Sequence, residues 1–94
     1  MILQAIALKK CLRATYNRVE MKLAPHILYT RHDDMHVDAV ALEKAGQPPR
    51  ERKLGTFKLV GLSNMSLSED DFEIEPFFER EAERYSGVTL FVVE

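Results

Sequence analysis

Several things are scarce in this 94-residue chain. It has one cysteine, Cys11, so no internal disulfide framework holds it, and a lone thiol fits a reducing cytoplasm. No apolar run approaches the roughly eighteen residues that a membrane-spanning helix needs. Lys9 and Lys10 follow the N-terminus too closely for a secretory signal. The four glycines form no phosphate-cradling loop. Ser63, Ser66 and Ser68 stand in no nucleophile-elbow context. His26, His32 and His36, taken with Asp33, Asp34 and Asp38, match no closed metal-site spacing; a polar turn followed by a strand accounts for them. Cys11 shares a strand face with Arg13 but has no histidine near it in sequence, so an inert strand cysteine is expected. These absences weigh against an enzyme, and no metal or cofactor is expected.

What is present is ordinary for one folded domain spanning residues 1–94. The apolar fraction of 46% excludes global disorder. The net charge of -2 hides an asymmetry. Residues 1–60 hold 11 Lys/Arg against 6 Asp/Glu, while residues 61–94 hold 2 against 9. A basic body with an acidic tail is consistent with a polyanion-binding surface that the tail shields; two solvated faces are the plainer alternative.

Along the chain, Met1–Lys10 has helical spacing, with Ile2 and Ile6 four residues apart. Cys11–Tyr16 then alternates as a strand, Asn17-Arg18 forms a tight hairpin turn, and Val19–Ala24 continues as a second strand. Pro25 is expected to break the ladder because it has no N–H. Ile27–Arg31 reads as a third strand, His32-Asp33-Asp34 as a turn, and Met35–Leu42 as a fourth strand covered on both sides towards its end. Residues 43–49 are a loop. Arg50–Lys58 reads as a strand bulged at Gly55. A helical turn falls within Phe57–Leu62, followed by a short strand over Ser63–Leu67. Ser68, with an acidic residue three positions on, has the pattern of a helix start. A helix is predicted over Pro76–Tyr85, closed by Ser86-Gly87. Val88–Val93 is strongly strand-like and must pair with the sheet or with a partner chain. The expected fold is α+β, mainly β: a small, partly open β-barrel with an N-terminal helix and a C-terminal helix-strand extension.

Three stretches carry a family likeness. They are Pro25-His26-Ile27-Leu28, Met35-His36-Val37-Asp38-Ala39 and Phe57-Lys58-Leu59-Val60-Gly61-Leu62. In this order and spacing, residues 2–72 resemble the WYL domain family; residues 73–94 have no counterpart in it. The resemblance implies an Sm-like or SH3-like barrel and a sensor role in bacterial transcription regulators or phage defence. The family's Trp-Tyr-Leu is Met35-His36-Val37 here, its Asp-Arg pair is Val60-Gly61, and Met21 replaces the arginine ahead of the Pro-His element. Lys58 keeps a positive charge at a matching position, without the bidentate fork of arginine. Family regulators carry a helix-turn-helix ahead of the barrel; a chain starting at Met1 is expected to act without one, and so not to read operator DNA that way.

The expected function is non-enzymatic: a ligand-sensing or regulatory domain, in the cytoplasm, binding a nucleotide or single-stranded nucleic acid. The candidate ligand-binding residues are Lys58, Arg52, Arg50, Lys53, His36, Arg31 and Tyr29. Basic side chains interleaved with Tyr16, Tyr29 and Phe57 are the equipment of a single-strand groove. An ordinary charged surface over core aromatics is the alternative. His36 and Asp38 share a strand face, where solvation is the plain expectation. The second functional reading is a protein-interaction or oligomerisation module, a homodimer or a complex with a protein partner, using Val88–Val93 and the Phe77/Phe78 face.

Overall fold

Three tight turns lay out the sheet. In the computed structural model, which describes residues 1–94, the pairs Asn17/Arg18 (φ 49° and 66°), His32/Asp33 (52° and 66°) and Ala45/Gly46 (51° and 79°) are all left-handed. Two consecutive positive φ values match the strand twist and close a two-residue hairpin. Asn and Asp tolerate this region; Arg18 and Ala45 occupy it at roughly 1–2 kcal/mol each. The first two turns join β1 (Lys10–Tyr16), β2 (Val19–Arg31) and β3 (Asp34–Lys44). The third reverses the chain after β3 and leads to β4 (Leu54–Lys58). A 3-10 turn, Leu59–Gly61, then feeds β5 (Ser63–Asp71), and β6 (Thr89–Val92) comes last. The result is an α+β fold, mainly one antiparallel sheet in the order β4-β3-β2-β1-β5, with β6 added to β2. Nothing pairs β4 with β5, so the sheet does not close.

Pro25 does not break the ladder. The pairing with β1 runs to Leu23 and that with β6 begins at Ile27, so no strand on that side needs a Pro25 N–H. Towards β3 the register shifts between Pro25 and Ile27, a bulge, which is where a central proline is tolerated. The two expected strands are therefore one thirteen-residue β2. Gly55 carries no bulge: β3 and β4 pair without a shift from Val40↔Leu54 to His36↔Lys58, and residues 50–53 lie outside the strand. Nor does Ser68 start a helix. β5 continues to Asp71, with Ser68 Oγ accepting the Asp70 N–H. There Asp71 pairs with Lys10 at 2.5 Å and Asp70 with Lys22.

The helix predicted over Pro76–Tyr85 is replaced by successive turns and a 3-10 turn at Glu83–Tyr85. Glu79/Glu83 and Arg80/Arg84 are both like-charge pairs at i,i+4, each costing a helix about 0.2–0.5 kcal/mol. Tertiary contacts add the stronger reason: neighbouring Arg84 and Tyr85 converge on one carboxylate oxygen, which residues 100° apart on a helix do poorly.

The core clusters 21 buried residues on both sides of the sheet. α1 (Ile2–Leu8) packs Ile2, Ala5 and Ile6 against β1 and β2. It ends two residues earlier than expected, at a left-handed Lys9. Burying Ile2 and Ile6 contributes roughly 1.5–3 kcal/mol each, which a seven-residue helix needs. Residues 72–93 cover the other face, with Phe72 and Phe78 against His26 and Tyr85 against Tyr29. β6 pairs Val92 with Ile27 and Phe91 with Leu28, so the apolar C-terminal stretch finds its sheet within the same chain. No helix is long and apolar enough to cross a membrane.

Candidate functional site

Strand register assembles the site. Tyr29 on β2 stands opposite His36 on β3, and His36 opposite Lys58 on β4. One step along, Asp38 faces Thr56; one step the other way, Arg31 faces Asp34. Directly opposed residues share a sheet face. Tyr29, Arg31, Asp34, His36, Asp38, Thr56 and Lys58 therefore project from the face that residues 72–93 cover.

Asp38 is the centre, and its exposure is 0%. Tyr29 OH donates to Oδ1 at 2.7 Å and Thr56 Oγ1 donates to the same oxygen at 2.8 Å. Tyr85 OH donates to Oδ2 at 2.5 Å and Arg84 Nη2 donates there at 2.6 Å. Arg84 Nη2 also donates to the Tyr85 hydroxyl at 2.9 Å. A buried carboxylate survives only when paired and hydrogen-bonded, and here it is both. The shared face of His36 and Asp38 is thus packed, not solvated. His36 stacks on Tyr29 at 5.9 Å, and its Nδ1 lies 3.2 Å from the Asp34 carbonyl.

The electrostatics follow the burial. Burial first, and then the Asp38 charge to which it donates, pushes the Tyr85 phenol far up. Tyr29 shifts the same way for the same two reasons. Burial works against the charge on Arg84, but Tyr85 and Asp38 outweigh it and hold the guanidinium charged. Both phenols stay protonated as donors. The Arg84 side chain remains 52% exposed, so a guanidinium anchored on one edge presents its other N–H groups to solvent. Lys58, 57% exposed, is held loosely by Asp34 at 3.6 Å. Arg31 is exposed.

Four of the seven sequence candidates, Tyr29, Arg31, His36 and Lys58, are brought together. Arg50, Arg52 and Lys53 are not: they precede Leu54, at the opposite end of β4 from Lys58. Arg52 is engaged with Glu75 at 2.9 Å, and Arg50 and Lys53 are exposed on the loop. Tyr29 is no open stacking platform, because it is buried with its hydroxyl committed to Asp38. Sequence reasoning missed Thr56, Arg84 and Tyr85. The one available signal was an aspartate within the apolar run Val37-Asp38-Ala39-Val40, which demands a cation and donors from elsewhere. Nothing local in Arg84-Tyr85 identified them as the answer.

The three histidines do not converge. His26 is buried under Phe72 and Phe78, His32 sits in an exposed turn, and His36 lies in the site. Cys11 is buried, and burial pushes its thiol up, away from the reactive thiolate. No protein-family model matches the chain, and searches of curated proteins and of solved structures return no match.

Proposed function

We propose that this protein is a non-enzymatic, cytoplasmic ligand-binding domain of the WYL-like, Sm/SH3-like barrel type, sensing a phosphate-bearing anion, a nucleotide or single-stranded nucleic acid. The barrel reading draws support from the strand order β4-β3-β2-β1-β5 with a 3-10 turn between β4 and β5. The binding reading rests on one observation above the others. The half-exposed Arg84 guanidinium is pre-oriented by Asp38 and Tyr85, on the face where register places His36 and Lys58 side by side. A fixed guanidinium fork beside a mobile ammonium suits phosphate oxygens. His36 occupies a position of the family's Trp-Tyr-Leu motif, and Lys58 matches its Phe-Arg-Leu arginine.

The test is fluorescence anisotropy with a labelled oligo-dT, and calorimetry with ATP, at low and high salt. Lys58→Gln with Arg31→Gln should weaken binding at least tenfold and reduce the salt slope. Arg84→Lys keeps a charge beside Asp38 but removes the fork, and should weaken binding with little loss of fold. Binding by the oligonucleotide but not ATP assigns a strand; the reverse assigns a nucleotide. Absence of binding to both at low salt, or binding indifferent to these variants, overturns the reading.

One observation favours self-association as a second reading: β6 has no strand on its far side, and Leu90 and Phe91 are exposed there. Because Val93 and the pairing with β2 belong to the fold, truncation is a poor test. Leu90→Lys with light scattering is the better one, and an unchanged monomer in both proteins sinks it.

A further inference from the structure

The cleft of largest volume, about 400 Å³, lies away from the Asp38 site. It runs over β5, β1, β2 and β3, and only Ala14 and Met21 among its lining residues are apolar. Register puts Ser66, Arg13, Lys22 and Glu43 in one row across four strands, all on one face. Glu20 stands opposite Thr15, in the next row of the same face. Arg13 and Lys22 are like charges directly opposed, and Asp70, which also acts on Arg13 through space, is the anion that relieves them. Lys22 is satisfied by Asp70, outside the cleft. Arg13 forms no ion pair and no side-chain hydrogen bond, and neither Glu20 nor Glu43 has an ion-pair partner. Unpaired charges of both signs thus line one cleft. The register keeps Arg13 and Glu20 on a diagonal of about 7–8 Å.

A β-bulge completes the cleft. Ser63 pairs with Thr15 and Ser66 with Arg13, so two residues of β5 stand against one of β1. Asn64, at φ 52°, sits in the bulge and joins the lining. Bulges re-aim side chains in this way. Beside Arg13 the cleft thus offers amide and hydroxyl donors from Asn64 and Ser66, and on the other side two carboxylates.

We propose that this cleft binds a free α-amino acid with a cationic side chain. The ligand carboxylate takes Arg13, with Ser66 and Asn64 donating beside it. Its two cationic groups meet Glu20 and Glu43. The cleft has no aromatic platform for a base, and its carboxylates repel a polyanion. Excluding the satisfied Lys22, one cation faces two anions, so a ligand of net positive charge is the complement.

The experiment is isothermal titration of the intact protein with L-lysine and L-arginine, beside L-norleucine, which lacks the side-chain cation, and putrescine, which lacks the carboxylate. Saturable binding of lysine or arginine is expected, with norleucine and putrescine at least tenfold weaker. Arg13→Gln and the pair Glu20→Gln/Glu43→Gln should each weaken it at least tenfold while leaving the melting temperature near that of the parent. No saturable binding of either cationic amino acid overturns the proposal, as does equal binding of norleucine, equal binding of putrescine, or indifference to Arg13→Gln. The Lys58/Arg31 variant should bind the amino acid normally, so this site and the proposed phosphate site succeed or fail separately.

Discussion

Replacing Asp38 by alanine tests the central structural claim directly. A chain of 94 residues has a stability of roughly 5–14 kcal/mol. Asp38→Ala removes the acceptor for four donors. Arg84 is half exposed and can turn to water, so its loss is partial. Tyr29 and Tyr85 are each 2% exposed and cannot. Two orphaned hydroxyls at about 1–3 kcal/mol each give roughly 2–6 kcal/mol. Breaking a buried ion pair gives a similar figure, about 3–5 kcal/mol. Urea unfolding should therefore show a loss of about 3–5 kcal/mol with an unchanged slope, and a melting temperature lower by at least about 12 °C. Asp38→Asn is the finer probe. Its carbonyl still accepts from Tyr29 and Thr56, but its amide faces the Arg84 donor, so a loss of about 1–3 kcal/mol is expected. Tyr85→Phe combined with Asp38→Asn should be clearly less than additive. A loss below about 1 kcal/mol for Asp38→Ala would refute the buried network.

His26 is held neutral: its Nδ1 donates to the Ala24 carbonyl at 2.8 Å and its Nε2 accepts the Glu75 N–H at 3.1 Å. Burial lowers its pKa, against the opposing pull of the Ala24 carbonyl and the Glu75 charge. Between the ordinary value of about 6.5 and this lower native one, the unfolded chain binds more protons. Stability is therefore full above about pH 6.5 and falls as the pH drops through that window; His26→Gln should flatten this part of the profile in urea titrations, and an unchanged profile refutes the linkage. At Gly61, an added Cβ would lie 2.8 Å from Tyr16 Cε1. That ring packs edge-on against Phe57 at 5.0 Å and its hydroxyl accepts the Lys58 N–H, so it cannot swing away freely. Gly61→Ala should cost about 1–3 kcal/mol in thermal unfolding, and much less in a Tyr16→Ala background; equal costs in both would show that the close approach is not the cause.

The sheet was legible wherever local rules decide. Alternation over Cys11–Tyr16 and Met35–Leu42 located β1 and β3, and Asn17-Arg18 located the first hairpin even without glycine. Local rules failed where a distant partner decides. Pro25 is harmless because β2 changes neighbours at that point. Ser68-Glu69-Asp70-Asp71 has a capping pattern, yet Lys10 and Lys22 draw its carboxylates into a strand extension. Part of the site was anticipated by other routes, Tyr29 as an aromatic among basic residues and Lys58 through the family-like stretch, and strand register sets both in one row with His36. Arg84 and Tyr85 come from a segment whose course is dictated by the aspartate they cover.

The charge asymmetry has a structural meaning that follows from these pairings. The acidic tail is spread over the body: Asp70, Asp71 and Glu75 each neutralise a cation from residues 10–52, and Arg84 returns a positive charge to the body's one buried carboxylate. The cations that remain free of tail carboxylates include Arg31 and Lys58, beside Arg84. The tail thus neutralises three of the body's eleven cations and leaves eight without a tail partner, Arg31 and Lys58 among them. Arg84 spends Nη2 on Asp38 and Tyr85 and keeps Nη1 and Nε for an outside anion. A ligand can therefore bind without opening the network, and binding there adds to the stability of the segment that carries Arg84 by mass action. Under the proposed reading, ligand binding would change how firmly residues 72–93 are held to the sheet.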